Sequence, residues 1–335
     1  MLDDFDSFAP SSEVRNLCVP PGGQQDSACI PLLVQVTFFK CGGVALGTAL
    51  HHQVVDGRSA FHFTETWSRI ACGEDSCIVP PFFDHTLLAA RPDRKVMFDH
   101  FEYKSNPKSI IPSGISTLYA SSVLEMSNKH IDALKFRCSD TAGTHVSAFR
   151  AITALLWWCF CGAKNLDLKS ETRLYTMIDI RNRMCPQLPP TYFGNAVIRV
   201  SVSTVVSDVI SSPISHVAKM VHEATKHGDD YARSLIDYLE TAGMENLPRS
   251  GVPISELRVI SLLGMPTDKA DFGWGKPIFC APAYYSGYIY LMDSPGKEAG
   301  VSAVVSLEPE NMSVFKKLFL EELAALDDRC LVTGA

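Results

Sequence analysis

Residues 51–57 read His-His-Gln-Val-Val-Asp-Gly, an H-x-x-x-D pattern followed by glycine. Two apolar runs, residues 32–39 and 43–50, precede the motif and have the length and composition of buried strands. Polar residues end the second run where packing does not require them, so we expect the motif to present an imidazole at the end of a strand. Ser59 is placed to cap a following helix, which ends before Gly73.

The composition indicates a globular protein and excludes several partner classes. The chain has 335 residues, of which 46% are hydrophobic and 20% charged, with a net charge of -7. No basic stripe suits a nucleic acid, and no apolar run reaches the roughly 18 residues of a membrane span. The 11 cysteines show no repeating spacing and no secretory segment opens the sequence. We therefore expect a cytoplasmic monomer with reduced thiols.

Helical and strand patterns are mixed along the rest of the chain. Prolines interrupt residues 78–114 repeatedly, which is typical of a crossover segment lying on a surface. Strands are predicted at residues 117–124, 174–180, 196–202, 258–263, 288–291 and 301–307, and helices at 127–135, 144 or 147 to 161, 214–239 and 310–326. The mixture of helices and strands predicts the α/β class. Regular βαβ alternation and a G-x-G-x-x-G loop are absent, so no dinucleotide-binding domain is expected.

Two further motifs follow the histidine motif. Residues 271–275 read Asp-Phe-Gly-Trp-Gly, and a tight turn whose aromatic side chains fill the core would also explain them. Residues 179–183 read Asp-Ile-Arg-Asn-Arg, and residues 189–195 read Pro-Pro-Thr-Tyr-Phe-Gly-Asn. Residues 179–183 could simply be the charged end of a strand, and residues 189–195 a proline turn.

Taken together and in this order, the motifs resemble those of the plant BAHD acyltransferases, which transfer acyl groups from coenzyme A. H-x-x-x-D-G stands at 52–57, D-F-G-W-G at 271–275 and Y-F-G-N at 192–195. Residues 39–43, Phe-Lys-Cys-Gly-Gly, look like the hydroxycinnamoyltransferase branch. The resemblance runs essentially from end to end, and the combination of motifs is highly specific.

The resemblance implies two chloramphenicol-acetyltransferase-like domains of mixed sheet plus helices. We expect the remainder of the N-terminal domain at residues 1–84, a crossover linker at 85–114 and the C-terminal domain at 115–335. Family members are usually longer at the N-terminus, so the first domain is expected to be incomplete.

The resemblance and the chemistry of imidazole both favour His52 as the catalytic base, since neutral histidine can take a proton from a hydroxyl or an amine. By resemblance, Asp56 supports the loop before Gly57 and pairs with an arginine, for which Arg181 and Arg183 are the candidates. His51 is expected only to shape the loop.

Coenzyme A is the expected co-substrate, bound without any permanent cofactor. By resemblance, Trp274 with Gly273 and Gly275 shapes the floor of the coenzyme channel, and Asp271 anchors it through a salt bridge. Thr144 and Ser147, at the start of a helix, are predicted to donate hydrogen bonds to the coenzyme. Lys164, Lys169 and Arg173 are weaker candidates for its phosphates.

The acceptor is expected to be an amine, either a polyamine or an aryl amine. Relatives that use shikimate or quinate carry a T-S-W triplet and an upstream arginine, whereas residues 260–262 read Ile-Ser-Leu and Arg249 is out of register. Acylation of a hydroxyl acceptor and a catalytically impaired fragment remain the alternatives. A metal hydrolase using His51, His52 and Asp56 lacks further ligands at suitable spacing, so no metal is expected.

Overall fold

A computed structural model describes residues 30–104, 119–139, 145–243, 255–280, 282, 287–294 and 300–333. The strands of these ranges are β1 Leu32–Phe38, β2 Val44–Leu50, β3 Ala120–Ser127, β4 Glu171–Asp179, β5 Val197–Val205, β6 Glu256–Ser261, β7 Ile289–Asp293 and β8 Gly300–Leu307. Their helices are α1 Gly57–Ala71, α2 Asn128–Cys138, α3 Ala148–Ala163, α4 Val206–Ser211, α5 Ile214–Thr225, α6 Asp229–Ala242 and α7 Pro309–Thr333. Each expected strand is present with shifted bounds, and so is each expected helix, except that the helical region over residues 214–239 is divided in two.

The strands form two sheets. β1 and β2 make an antiparallel pair in which Leu32 lies opposite Leu50. The other six follow the order β3-β8-β7-β6-β4-β5, with β4–β6 and β6–β7 parallel and the remaining pairs antiparallel. The mixed sheet and the α/β class are therefore confirmed. The domain bounds stay a prediction.

One face of the six-stranded sheet is covered by α2, α3, α5 and α7, which share a single apolar core with it. α3 lies at the centre of this layer and is almost wholly buried. Its Trp157 is fully buried and donates from Nε1 to Thr172 Oγ1 at 3.1 Å, so its one polar atom is satisfied. Cys159 and Cys161 are also fully buried and belong to the same core.

The crossover segment is more closely packed than its prolines predict. Phe82 pairs with the 191–193 turn through two backbone hydrogen bonds of 2.9 Å, to Thr191 and from Phe193. Further along, the Tyr103 hydroxyl accepts the backbone N–H of Arg199 on the outer strand β5 at 2.7 Å. The segment therefore covers an otherwise open sheet edge.

Two helix predictions were wrong in detail. The N-cap of α1 is Asp56, whose side chain accepts the N–H of Ser59, so the motif aspartate and not the serine begins the helix. The single helical region expected over residues 214–239 is two helices. α5 ends at Thr225, and α6 begins after Gly228 with two aspartates in its first turn, where negative charge is favourable.

Candidate active site

The histidine motif lies at one end of the six-stranded sheet. β4, β6 and β7 run parallel, so their carboxyl ends meet at this end, and the 180–196 loop leaves β4 here. The motif connects β2 to α1 and is held against this loop by the backbone hydrogen bond from Asp56 N to Gly194 O, of 3.4 Å. The site is therefore built from two segments far apart in sequence.

Asp56 and Arg181 form a buried ion pair at the base of the site. Their side chains are 0% exposed, with Arg181 Nη1 2.8 Å from Asp56 Oδ2 and Nη2 3.0 Å from Oδ1. The carboxylate also accepts the backbone N–H groups of Ser59 and Ala196, each at 2.9 Å. Burial alone would raise the pKa of the Asp56 carboxyl, but these hydrogen bonds hold the pKa below its ordinary value. The aspartate therefore stays charged and joins the motif to the 180–196 loop.

The structure selects Arg181 over Arg183 as the partner of Asp56. Arg183 donates instead to the backbone carbonyls of Thr225 and His227, at 2.6 and 2.8 Å, at the end of α5. Cationic side chains suit a helix carboxyl end. The two arginines therefore hold different elements.

Ser59 connects the start of α1 to the Y-F-G-N turn. Its hydroxyl donates to Gly194 O at 3.0 Å and accepts the Gly194 N–H at 3.1 Å. Gly194 has a φ of 148°, and a Cβ there would meet the His85 ring at 3.0 Å. Glycine is needed at this position because no side chain would fit the turn in this conformation.

His52 is exposed, and Asn195 orients its ring. The Asn195 amide Nδ2 donates to the His52 backbone oxygen at 2.8 Å, and Asn195 Oδ1 lies 3.2 Å from His52 Nδ1. Since Nδ2 is the donor in the first contact, the oxygen faces the ring and Nδ1 must carry the proton. His52 Nε2 is then the unprotonated nitrogen, with a lone pair available to a substrate. Asn195 was not identified as a site residue from the sequence, although it closes the Y-F-G-N motif.

His51 has a local role, as expected. Its Nδ1 accepts the backbone N–H of Gln53 at 3.2 Å, within the same loop. Because Nδ1 of His51 accepts a hydrogen bond, its Nε2 carries the proton in the neutral ring and is not available as a base.

The Asp-Phe-Gly-Trp-Gly segment lies at the opposite end of α1. Asp271 Oδ1 accepts the backbone N–H groups of Gly273 and Gly275, at 2.8 and 3.0 Å, and both glycines have positive φ. The Asp271 carboxylate closes this turn and makes no ion pair within the described residues, so its salt bridge stays a prediction. Trp274 is 72% exposed.

The same segment is joined to the end of α1. The Cys72 thiol donates to Asp271 O at 3.4 Å, and Phe272 packs edge-on against Trp67 with ring centroids 5.0 Å apart. The 15 residues of α1 place this end about 22 Å along the helix axis from Gly57. The turn therefore holds α1 in place and does not touch His52.

Two arginines, Arg150 and Arg183, bring positive charge to the amino end of α3. Ser147 is the N-cap and accepts the N–H of Arg150, which leaves its own hydroxyl proton free to donate. Burial lowers the pKa of His222, and the neighbouring Arg150 cation lowers it further. Burial also lowers the pKa of Arg183, and the positive charge of Arg150 lowers it further. Thr144 lies outside the described residues.

The weaker phosphate candidates lie elsewhere. Lys164 is buried in an ion pair with Glu308 at 2.7 Å, and Arg173 pairs with Glu171 at 2.7 Å while stacking on Phe101. Both cations are therefore already neutralised. Arg150 was not predicted as a site residue, because a single arginine in an apolar helix belongs to no motif.

Two absences hold for the described part of the chain. None of its helices is long and apolar enough to cross a membrane. Within the same ranges, no group of three histidine, cysteine or acidic side chains is arranged to hold a metal ion.

The sheet is mixed, and an ion pair holds the H-x-x-x-D loop at the carboxyl ends of its parallel strands. This arrangement places the chain in the class of acyl-CoA-dependent acyltransferases. The Transferase family model matches residues 1–322. The chain is 40% identical to putrescine hydroxycinnamoyltransferase 1 of Oryza sativa subsp. japonica over 347 residues, covering 96% of this chain and 76% of that relative. It is 36% identical to shikimate O-hydroxycinnamoyltransferase of Nicotiana tabacum over 335 residues, covering 96% and 77%.

Solved structures share the fold. Vinorine synthase superimposes with a TM-score of 0.68 at 20% identity, covering 91% of this chain and 71% of that one. TRI101 of F. sporotrichioides, complexed with coenzyme A and T-2, superimposes with a TM-score of 0.71 at 19% identity, and the match covers 93% of this chain and 76% of that one. The chain belongs to the BAHD acyltransferase family and is an acyl-CoA-dependent transferase.

Proposed function

We propose that this chain transfers a hydroxycinnamoyl group from coenzyme A to an amine, with His52 as the general base. The observation that carries the proposal is the Asn195 contact, which leaves Nε2 of the exposed His52 ring unprotonated. As the amine nitrogen attacks the thioester carbonyl, a C–N bond forms and the C–S bond breaks. His52 Nε2 takes the proton from the nitrogen and returns it to the departing thiolate. No acyl-enzyme intermediate is needed.

The coenzyme is expected to bind at the amino end of α3. Arg150 and the neighbouring Arg183 supply positive charge there, and the helix dipole adds to it. Ser147 has a hydroxyl proton to donate, and Thr144 is retained as a second donor. The side chains suit an anionic phosphate better than any neutral group.

The amine acceptor is supported by two observations. The Ile-Ser-Leu triplet at 260–262 departs from the pattern of shikimate users, and the 40%-identical relative is a putrescine hydroxycinnamoyltransferase. Transfer to a hydroxyl is the second candidate, because another relative, 36% identical, is a shikimate O-hydroxycinnamoyltransferase.

The test measures thiol release from p-coumaroyl-CoA with putrescine, agmatine, tyramine and shikimate in turn. His52→Ala should lower kcat by about 10²- to 10⁴-fold, the usual contribution of a general base. Asn195→Ala should lower kcat by at least about tenfold at similar KM, because the ring tautomer is no longer held. His51→Ala is the matched control and should retain activity close to wild type.

Three outcomes would count against the proposal. Thiol release that survives His52→Ala would exclude His52 as the base. Release with shikimate alone would move the acceptor to a hydroxyl. No release with any acceptor, from a protein that unfolds cooperatively, would favour a catalytically impaired chain.

A further inference from the structure

The crossover reaches the turn that carries Asn195 through the ring of His85. A hydrogen bond of 3.0 Å joins His85 Nδ1 and the Tyr192 hydroxyl, and the two rings meet edge-on with their centroids 5.6 Å apart. The same ring lies against Gly194, because a Cβ on that glycine would meet His85 Cε1 at 3.0 Å and Nδ1 at 3.3 Å. His85 therefore contacts the two residues that flank Phe193, directly before Asn195.

The element that carries His85 is itself packed against the turn. His85 begins a short 3₁₀ helix that ends at Leu88. Leu87 and Leu88 of this helix pack against the apolar cluster that includes Tyr192. The ring of His85 is therefore presented to the turn from an element that shares a core with it.

The histidine motif and the crossover hold this turn from two sides. From the motif side, Ser59 exchanges two hydrogen bonds with the Gly194 backbone. From the crossover side, Phe82 pairs with the backbone of residues 191 and 193, which come before that glycine in the chain. The His85 ring contacts Gly194 itself, next to the residue that orients His52.

We propose that His85 is a positioning residue for the general base and acts through the turn on Asn195, an inference that rests on the base role proposed above for His52. Asn195 Oδ1 lies 3.2 Å from His52 Nδ1. This contact is at the long end of the range for a nitrogen and an oxygen, roughly 2.7–3.2 Å, so a small shift of the turn would break it. Neutral histidine can carry its proton on either ring nitrogen, and the Nδ1–H form is selected only while the Asn195 oxygen is in place.

The experiment follows the tautomer of His52 directly, by nitrogen NMR of protein that carries isotope-labelled histidine. The His52 signals are those that are absent from His52→Ala. Wild type should show the Nδ1–H form, whereas in His85→Ala a fraction of the His52 rings should carry the proton on Nε2, because the Asn195 oxygen is no longer held in place. With p-coumaroyl-CoA and putrescine, kcat of His85→Ala should fall roughly three- to tenfold at similar KM, which corresponds to one lost hydrogen bond.

Two further variants define how His85 acts. Tyr192→Phe removes the hydrogen bond alone and should change the tautomer in the same direction, and adding it to His85→Ala should not lower kcat further. Arg91→Ala is the matched control, since it also loosens the crossover by breaking the ion pair of 2.7 Å with the buried Asp237 on α6. It should lower the unfolding midpoint and leave both the His52 tautomer and kcat as in wild type.

The outcomes separate this inference from the function on which it rests. An unchanged His52 tautomer in His85→Ala would overturn the positioning role, and so would an equal change in Arg91→Ala. A changed tautomer with wild-type kcat would support the contact through the turn but overturn the role of His52 as the base.

Discussion

At the residue scale, the Asp56–Arg181 pair holds the catalytic loop in position. Both side chains are excluded from solvent. Asp56 accepts the backbone N–H of Ala196 across the contact, and Arg181 also donates to the backbone oxygens of Tyr192 and Gly194 in its own loop. Such a pair contributes little net stability compared with an apolar replacement, but breaking it leaves a buried charge uncompensated. Its value here is geometric, since it holds the loop of His52 against the turn that carries Asn195.

We predict that Asp56→Ala lowers the free energy of unfolding by about 3–5 kcal/mol. Urea titration with a fluorescence readout measures it, and Glu240→Ala is the control. Glu240 forms an exposed ion pair with Arg94 at 3.4 Å, and its loss should cost under about 1 kcal/mol. Because the pKa of Asp56 is lowered in the folded state, its contribution is full above the ordinary value of 3.8 and is lost as the pH falls through the lower, folded-state pKa. Equal costs for the two variants would contradict the assignment.

Some of these residue roles could be predicted from the sequence, and others depended on geometry. H-x-x-x-D-G marked His52 and Asp56 because an imidazole and a carboxylate have no packing reason to end an apolar strand. The choice between Arg181 and Arg183 needed coordinates, since both lie in the same short motif. The function of Asn195 depends on its contact with a residue 143 positions away.

At the element scale, the described part of the crossover packs closely against α6 and is not a loose linker. His100 is fully buried, with Nε2 2.9 Å from Ser234 Oγ, and its ring meets Tyr231 at a centroid distance of 4.9 Å. Burial lowers the pKa of His100, although the nearby Glu102 acts in the opposite direction. The Tyr231 hydroxyl donates to Glu102 at 3.2 Å, and the Ser201 hydroxyl of β5 donates to it at 2.7 Å. The crossover, α6 and β5 therefore share one polar cluster.

We predict that this cluster makes the fold sensitive to mild acid. Below the ordinary histidine pKa of 6.5 the unfolded chain binds a proton that folded His100 does not, so stability falls as the pH falls. His100→Gln should reduce that slope by up to about 1.4 kcal/mol per pH unit between pH 6.5 and 5. Urea unfolding at several pH values measures it, with exposed His216→Gln as the control. An unchanged slope in His100→Gln would show that this histidine titrates normally.

Element types were more predictable than element ends. Strands and helices follow from local periodicity, which is why β4, β5 and α3 appear where the pattern indicates them. The start of α1 was misassigned because Asp56 and Ser59 are both good caps, and only the backbone decides between them. The packing of the crossover was not predictable, since its aromatic contacts follow no period.

At the scale of the whole molecule, the site depends on contact between the histidine motif and the 180–196 loop, which are far apart in the sequence. The sheet order β3-β8-β7-β6-β4-β5 brings the carboxyl ends of the parallel strands β4, β6 and β7 to the histidine motif. This order could not be predicted from the sequence patterns, because non-local packing decides which strands are neighbours. The order is what places the 180–196 loop, which carries Arg181 and Asn195, against the loop of His52.

A ligand that binds only the folded chain must raise its stability, and coenzyme A tests the α3 site in this way. At a concentration of about 100 times Kd the gain is about 2.7 kcal/mol, which corresponds to a rise in Tm of roughly 4 °C for a chain of this size. Arg150→Ala should remove most of that rise at the same coenzyme concentration, and added salt should weaken it in wild type. Arg94→Ala, which removes a half-exposed arginine of the crossover, is the matched control and should keep the full shift. If Arg150→Ala and Arg94→Ala respond to coenzyme A alike, the phosphate groups bind somewhere other than the amino end of α3.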